Sequence, residues 1–220
     1  MKLTKAEFDK WSKWADEITA DLTTIVNNQQ IYKQFEEVAN ANWDHIVTYK
    51  GDLFCDFVRH CYGVQAALGI RRHIKIDKDS ISLMKLADQM RNCAKQFTYE
   101  FYLDRYPFKA DKFEWQKSTF MIFSENGDFL SEDLISTDMA DLENIGGKVS
   151  DFVDRTMAHL DQKGPNGKIT YDDLMKSIDL FNKVACKYIT FITSDGCTTL
   201  KPTIQRDWKK IFSVPFDMRK

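Results

Sequence analysis

Proline and glycine are scarce in this chain, at 4 and 9 of 220 residues. So little turn chemistry argues against a sandwich or barrel of many short strands, which needs a turn roughly every 8–12 residues. The five cysteines (Cys55, Cys61, Cys93, Cys186, Cys197) are odd in number, and no two are spaced C-x-x-C. Neither a disulfide framework nor a zinc site is indicated. No apolar run approaches membrane-spanning length, and Met1–Glu7 lacks the apolar core of a signal peptide, so the expected location is the cytoplasm with no membrane partner. Charge of one sign is also missing: 31 basic against 33 acidic side chains leave a net −2. A nucleic acid could be held only by a local basic patch, not by the field of the whole molecule.

What is present reads as helix. Hydrophobic content of 43% beside 29% charged residues suits a globular chain large enough for a substantial core. Thr4 and Glu7 form a capping-box pattern before Phe8, Trp11, Ala15, Ile18, Leu22 and Ile25, which recur at steps of three and four. A second apolar series runs through Ile31, Phe35, Val38, Ile46 and Tyr49 to a break at Gly51-Asp52. A third runs through Leu53, Phe57, Cys61, Val64 and Leu68. Ser80 or Ser82 starts the next helix, with Leu83, Leu86, Met90 and Phe97 on one face, and an aromatic run continues helical to Tyr106. Between residues 108 and 130 the periodicity fades. That stretch reads as an aromatic-rich insertion, with room for a short strand or hairpin.

Ser131 caps a further helix with Ile135, Leu142, Ile145, Val149 and Phe152 inward. Gly146-Gly147 inside it marks either a break or a close neighbour. Thr170 and Asp173 cap a last long helix through Leu174, Ile178, Phe181, Ala185, Tyr188 and Ile192. A short tail helix should then dock Trp208, Ile211 and Phe212. The fold class is all-α: an up-and-down helical bundle, one domain over 1–220, with the 108–130 insertion inside it.

Several site motifs fail on their chemistry. Gly164–Thr170 resembles a phosphate loop, but its glycines are too close and Ile169 stands where Ser or Thr is needed. A calcium loop from Asp161 would put Lys163 and Pro165 at ligand positions. None of the four histidines follows a glutamate by three residues, and no H-E-x-x-H occurs, so no metal site and no cofactor are expected. Arg155 and His159 remain. Four residues apart, they share a helical face just before Gly164-Pro165 ends the helix. A fixed cation beside a group titrating near neutrality suits acid/base chemistry on a phosphodiester. The alternative is a structural turn. Arg71, Arg72 and Lys75 belong to the densest basic cluster, read either as a solvated helix end or as a phosphate-binding patch.

Four stretches carry a family resemblance: Leu68–Arg72 with Asp77–Asp79 and Ser82–Leu86; Arg155–Asp161; Leu180–Lys183; and Asp207–Phe216. In this order and spacing the chain resembles the HEPN superfamily, and within it the abortive-infection U type (AbiU-like) of bacterial anti-phage proteins. The resemblance implies a helical bundle, often a homodimer, whose paired Arg…His motifs cut RNA without metal. His159 would be the general acid or base, Arg155 would stabilise developing charge, and Asp161 would orient the histidine. Arg71, Arg72 and Lys75 would contact RNA. One departure is plain: three residues separate Arg155 from His159, where the family has four to six. The opposing expectation is a non-catalytic interaction protein binding a protein partner through an exposed apolar patch around Phe108, Phe113 and Trp115.

Overall fold

A computed structural model describes residues 3–104, 114–158, 167–203 and 207–213. Over these residues the protein is a packed helical bundle without a strand; the one β-type contact is an isolated bridge between Thr98 and Phe129. The helices are α1 (Lys5–Ala41), α2 (Trp43–Thr48), α3 (Asp52–Ile74), α4 (Leu83–Arg91), α5 (Tyr99–Leu103), α6 (Glu114–Phe120), α7 (Glu132–Phe152) and α8 (Tyr171–Thr193). Helix α1 lies along α8, while α3 packs on α7, α1 and α8, and α4 closes on α7. No described helix is long and apolar enough to cross a membrane.

The helix starts follow from their caps. Thr4, Ser82, Ser131 and Thr170 each accept a backbone N–H three residues ahead, and Thr170 with Asp173 completes the reciprocal box. Ser82, not Ser80, is therefore the cap of α4. Glu7 leaves the first capping box half-made, because its carboxylate pairs with Lys10 instead.

The second apolar series does not begin a new helix. Helix α1 runs on for 37 residues and keeps its register, so Tyr32, Phe35 and Ala39 turn inward while Ile31 and Tyr49 face out. His45 on the short α2 is exposed against the Tyr49 ring. Within the 108–130 stretch, residues 114–120 form α6 rather than a hairpin, and Phe120 and Phe123 pack with Tyr102 and Phe191 in the core. The aromatic run before it is broken at Phe97-Thr98, where Thr98 caps α5 anew. Of the three tail residues expected to dock, Trp208 does, its Nε1 donating to Gln34 Oε1 at 2.8 Å; Ile211 and Phe212 stay exposed on a 3₁₀ turn, Trp208–Ser213, with the Phe212 ring edge-on to Trp208.

The largest correction concerns α3. Its sequence seam lies on the outside at Leu53, Phe57, Cys61 and Leu68, with Leu53 75% and Phe57 63% exposed, while Val64 is half-buried. The small face, Ala66, Ala67, Gly69 and Ile70, is buried instead. A Cβ placed on Gly69 would stand 2.5 Å from Cδ1 of Ile25, so the Ile25 side chain of α1 rests directly on the α3 backbone. Helix α7 stays continuous through its glycine pair: Gly146 lets Ile74 and Phe181 approach to 3.1 and 3.2 Å of where a Cβ would be, and Ile145 is turned outward.

These contacts make a paired test. Gly69→Val should cost about 2 kcal/mol or more by overpacking the α1–α3 contact. Gly147→Ala meets only the mobile carboxylate end of Glu143 and should be neutral or stabilising by up to about 1 kcal/mol. Urea midpoints of the two variants check the contrast.

Candidate functional site

The candidate turn sits where α7 changes its winding. Val153 is buried and ends the regular helix, and Val153–Ala158 continues as a π-helical turn. Such turns hold one residue more than an α-turn and are frequent at functional sites. Thr156 returns its hydroxyl to the Phe152 carbonyl, satisfying an acceptor within the turn. Arg155 is half-buried here, and its Nε donates to Asp151 Oδ1 at 2.7 Å. His159 and Asp161, the other two residues of the expected site, lie outside the described residues.

The basic cluster divides in two. Arg71 in the last turn of α3 and Lys75, which caps that helix, both reach Asp154, the residue before Arg155; Lys75 Nζ lies 2.7 Å from Oδ2, and Arg71 Nε bonds Oδ1. Burial works against the Asp154 charge, but the bonds from Lys75 and Arg71 outweigh it and hold the carboxyl below the usual range. Arg72 faces the other way. Its guanidinium bonds both oxygens of Asp21 on α1 at 2.8 and 3.0 Å, and the buried His73 places Nε2 2.9 Å from the same carboxylate. The His73 bond, with Arg72 and against partial burial, keeps Asp21 low as well. Arg71 and Lys75 are thus brought to the Arg155 turn, and Arg72 is not.

A cleft opens beside the turn, between α3, the π-helical segment and the start of α8. Its walls include His60, Val64, Phe152, Met157 and Tyr171. Gly63 lets the Tyr171 ring come within 3.4 Å of its Cβ position, which draws α8 onto α3 at this level. Asp151 and Asp154 carry no motif that would single them out. Asp154 and Arg71 are 83 residues apart and carry no shared local pattern. Arg59, next to His60, is occupied structurally, paired with Glu36 and Asp56 and lying over the Trp43 ring. Among the described residues, no group of three His, Cys, Asp or Glu gathers as a metal would require.

The site as described is a latch of three cations and two carboxylates. Two α3 cations hold one carboxylate of the π-turn, a second carboxylate holds Arg155, and an open cleft lies alongside. No family model, curated protein or solved structure matches this chain.

The latch has a pH signature. Because the folded-state Asp154 value is depressed, its stabilisation is present above the unfolded value of roughly 3.9 and is lost as pH falls through the folded value. Asp154→Asn should lower unfolding free energy by about 1 kcal/mol at pH 7, the scale of a partly exposed ion-pair network. The difference from wild type should vanish as the pH is taken down through the acid range below about 4. Denaturant titrations of both proteins at several pH values test it.

Proposed function

We propose that this chain is a HEPN-like protein of phage defence or toxin–antitoxin-type growth control, acting in the cytoplasm as a metal-independent endoribonuclease. In this reading the ribose 2′-OH attacks the adjacent phosphate. His159 moves the protons, Arg155 stabilises the charge that develops on the phosphoryl oxygens, and Asp161 orients the imidazole. A 2′,3′-cyclic phosphate results, and DNA, lacking the 2′-OH, is left intact. The single observation that carries the reading is the gathering of Arg71 and Lys75 at the π-helical turn that bears Arg155, a turn whose Met157 walls an open cleft. An RNA phosphate entering there would exchange with the Asp154 carboxylate for the same two cations.

The working unit in this proposal is a homodimer, and the outer face of α3 supports it. Leu53, Phe57, Cys61, Val64 and Leu68 form a seam about 22 Å long with the three-and-four spacing of packed helices. Antiparallel pairing of two copies sets the acidic start of one α3 (Asp52, Asp56) against the basic end of the other (Arg71, Arg72), with Cys61 near the two-fold axis.

A second reading is a non-catalytic helical interaction protein whose Arg/His turn is structural. Two observations favour it. Each of Arg71, Arg72, Lys75 and Arg155 is engaged by a carboxylate of the same chain. An apolar surface of Tyr49, Leu53, Phe54 and Phe57 also stands open, away from the expected patch, of which Trp115 is exposed and Phe108 and Phe113 lie outside the described residues.

Cleavage of a mixed RNA panel in EDTA separates the two. The nuclease reading expects cyclic-phosphate ends from the wild type and a rate lower by roughly 10²-fold or more in His159→Ala. Intact RNA after incubation with folded, dimeric protein would give the interaction reading. For the dimer, mild oxidation should cross-link two chains through Cys61, and Phe57→Asp should yield a folded monomer by analytical ultracentrifugation.

A further inference from the structure

Two cysteines distant from the candidate turn are brought together by the chain's return over α8. Asn182, Cys186 and Thr190 lie at steps of four and so share one helical face. Helix α8 ends at Ser194 in the left-handed conformation (φ 65°), and the chain folds back along that face. Two brackets hold it there. The Cys197 N–H donates to Thr190 Oγ1 at 3.0 Å. Further on, the Leu200 N–H donates to Asn182 Oδ1 at 2.7 Å, and Asn182 Nδ2 reaches Thr199 Oγ1 at 3.3 Å. Between the brackets Cys197 is held over the turn of α8 that carries Cys186, close enough for its thiol to raise that of Cys186. Both are free; Cys186 is buried and Cys197 half-buried.

We propose that Cys186 and Cys197 form a peroxide-closed, dithiol-opened disulfide switch that fastens the segment after α8 onto the helix. Their environments divide the labour. Burial, with the neighbouring Cys197, pushes the Cys186 thiol up to about 12, so it stays protonated and shielded at neutral pH. The reachable sulfur is Cys197. As its thiolate it attacks hydrogen peroxide: an S–O bond forms, the O–O bond breaks, and hydroxide leaves, giving the sulfenic acid. Cys186 sulfur then attacks the Cys197 sulfur; the S–S bond forms, the S–O bond breaks, and the departing hydroxide takes the Cys186 proton as water. In sum, two thiols and one hydrogen peroxide give one disulfide and two waters, two electrons passing from sulfur to oxygen. The contact makes the second step intramolecular, which favours it over further oxidation. A pair of this kind suits a reducing compartment, where disulfides are transient and regulatory. The fastened segment leads to Trp208, which seats on α1, so closing the bond tethers the root of the C-terminal region.

The test is stoichiometric hydrogen peroxide on the full chain, read by intact mass and peptide mapping. Closure predicts a loss of two hydrogens, a linked peptide holding Cys186 and Cys197, and full reversal by dithiothreitol. The oxidised protein should melt higher by roughly 5 °C, the scale for a short closed loop. In Cys186→Ala the sulfenic acid should accumulate on Cys197 and be trapped by dimedone; in Cys197→Ala no adduct should form on Cys186. Circular dichroism of both variants separates misfolding from chemistry. Oxygen added stepwise to Cys197 in the wild type, with no linked peptide, would overturn the proposal, as would trapping on Cys186. A doubled mass from a Cys61–Cys61 linkage belongs to the dimer; only its appearance without the Cys186–Cys197 peptide would count against the switch.

Discussion

The Ile25 side chain of α1 packs directly on the α3 backbone at Gly69, and the rotation of α3 about its axis follows from that contact. Ile25 of α1 occupies the space a Cβ would take. Helix α3 must therefore turn its small residues, Ala66, Ala67 and Gly69, toward α1 and its neighbours. Two consequences follow from the one rotation. The large residues at Leu53, Phe57 and Leu68 are carried to the outside. Arg71 and Lys75 are carried to the side where α7 ends, so that both reach Asp154. Close packing at a glycine thus decides the apolar seam that faces solvent as well as the cations that attend the π-helical turn.

Helix starts and the faces of α4 and α8 were legible because the signal is local: a hydroxyl cap followed by apolar residues at steps of three and four. Leu174, Ile178, Phe181, Ala185, Tyr188 and Ile192 all lie inward as spaced. The inward face of α3 was not legible. That helix carries apolar residues around most of its circumference, so periodicity reports a seam without saying which seam is covered. Size complementarity with Ile25 chose the small one, a fact about two helices rather than one. In the same way Ile31, Phe35 and Val38 fit a helical step, but α1 keeps the register set by its first turns, so Phe35 lies inward as spaced while Tyr32 and Ala39 take the places expected of Ile31 and Val38.

At the candidate site, Arg155 stood out because it precedes a Gly-Pro stop, and it does lie on the last described turn after α7. Its surroundings had no such signal. Asp154 becomes a hub only through contacts spanning about eighty positions. The apparent patch of Arg71, Arg72 and Lys75 holds together only in part: a helix carries residues 71 and 72 to diverging directions, where different carboxylates meet them, while Lys75 stays with Arg71 on Asp154. Any anion approaching Arg71 or Lys75 competes with Asp154, so its affinity would fall steeply with salt while depending little on the protein's overall charge.

Lys85 illustrates a different economy of design. This buried side chain places its Nζ 2.7 Å from the carbonyl oxygens of Asp77, Lys78 and Ser80, with Trp14 beside it. An ammonium wrapped by main-chain oxygens is held as an ionophore holds its cargo. Because the ligands are backbone atoms, the connection between α3 and α4 keeps its shape whatever side chains decorate residues 77–80. The sensitivity lies in one atom on the following helix. Acylation of that amine would leave the same ring of carbonyls without its ion, so a small modification made there would be felt as a change of loop conformation at a distance along the chain.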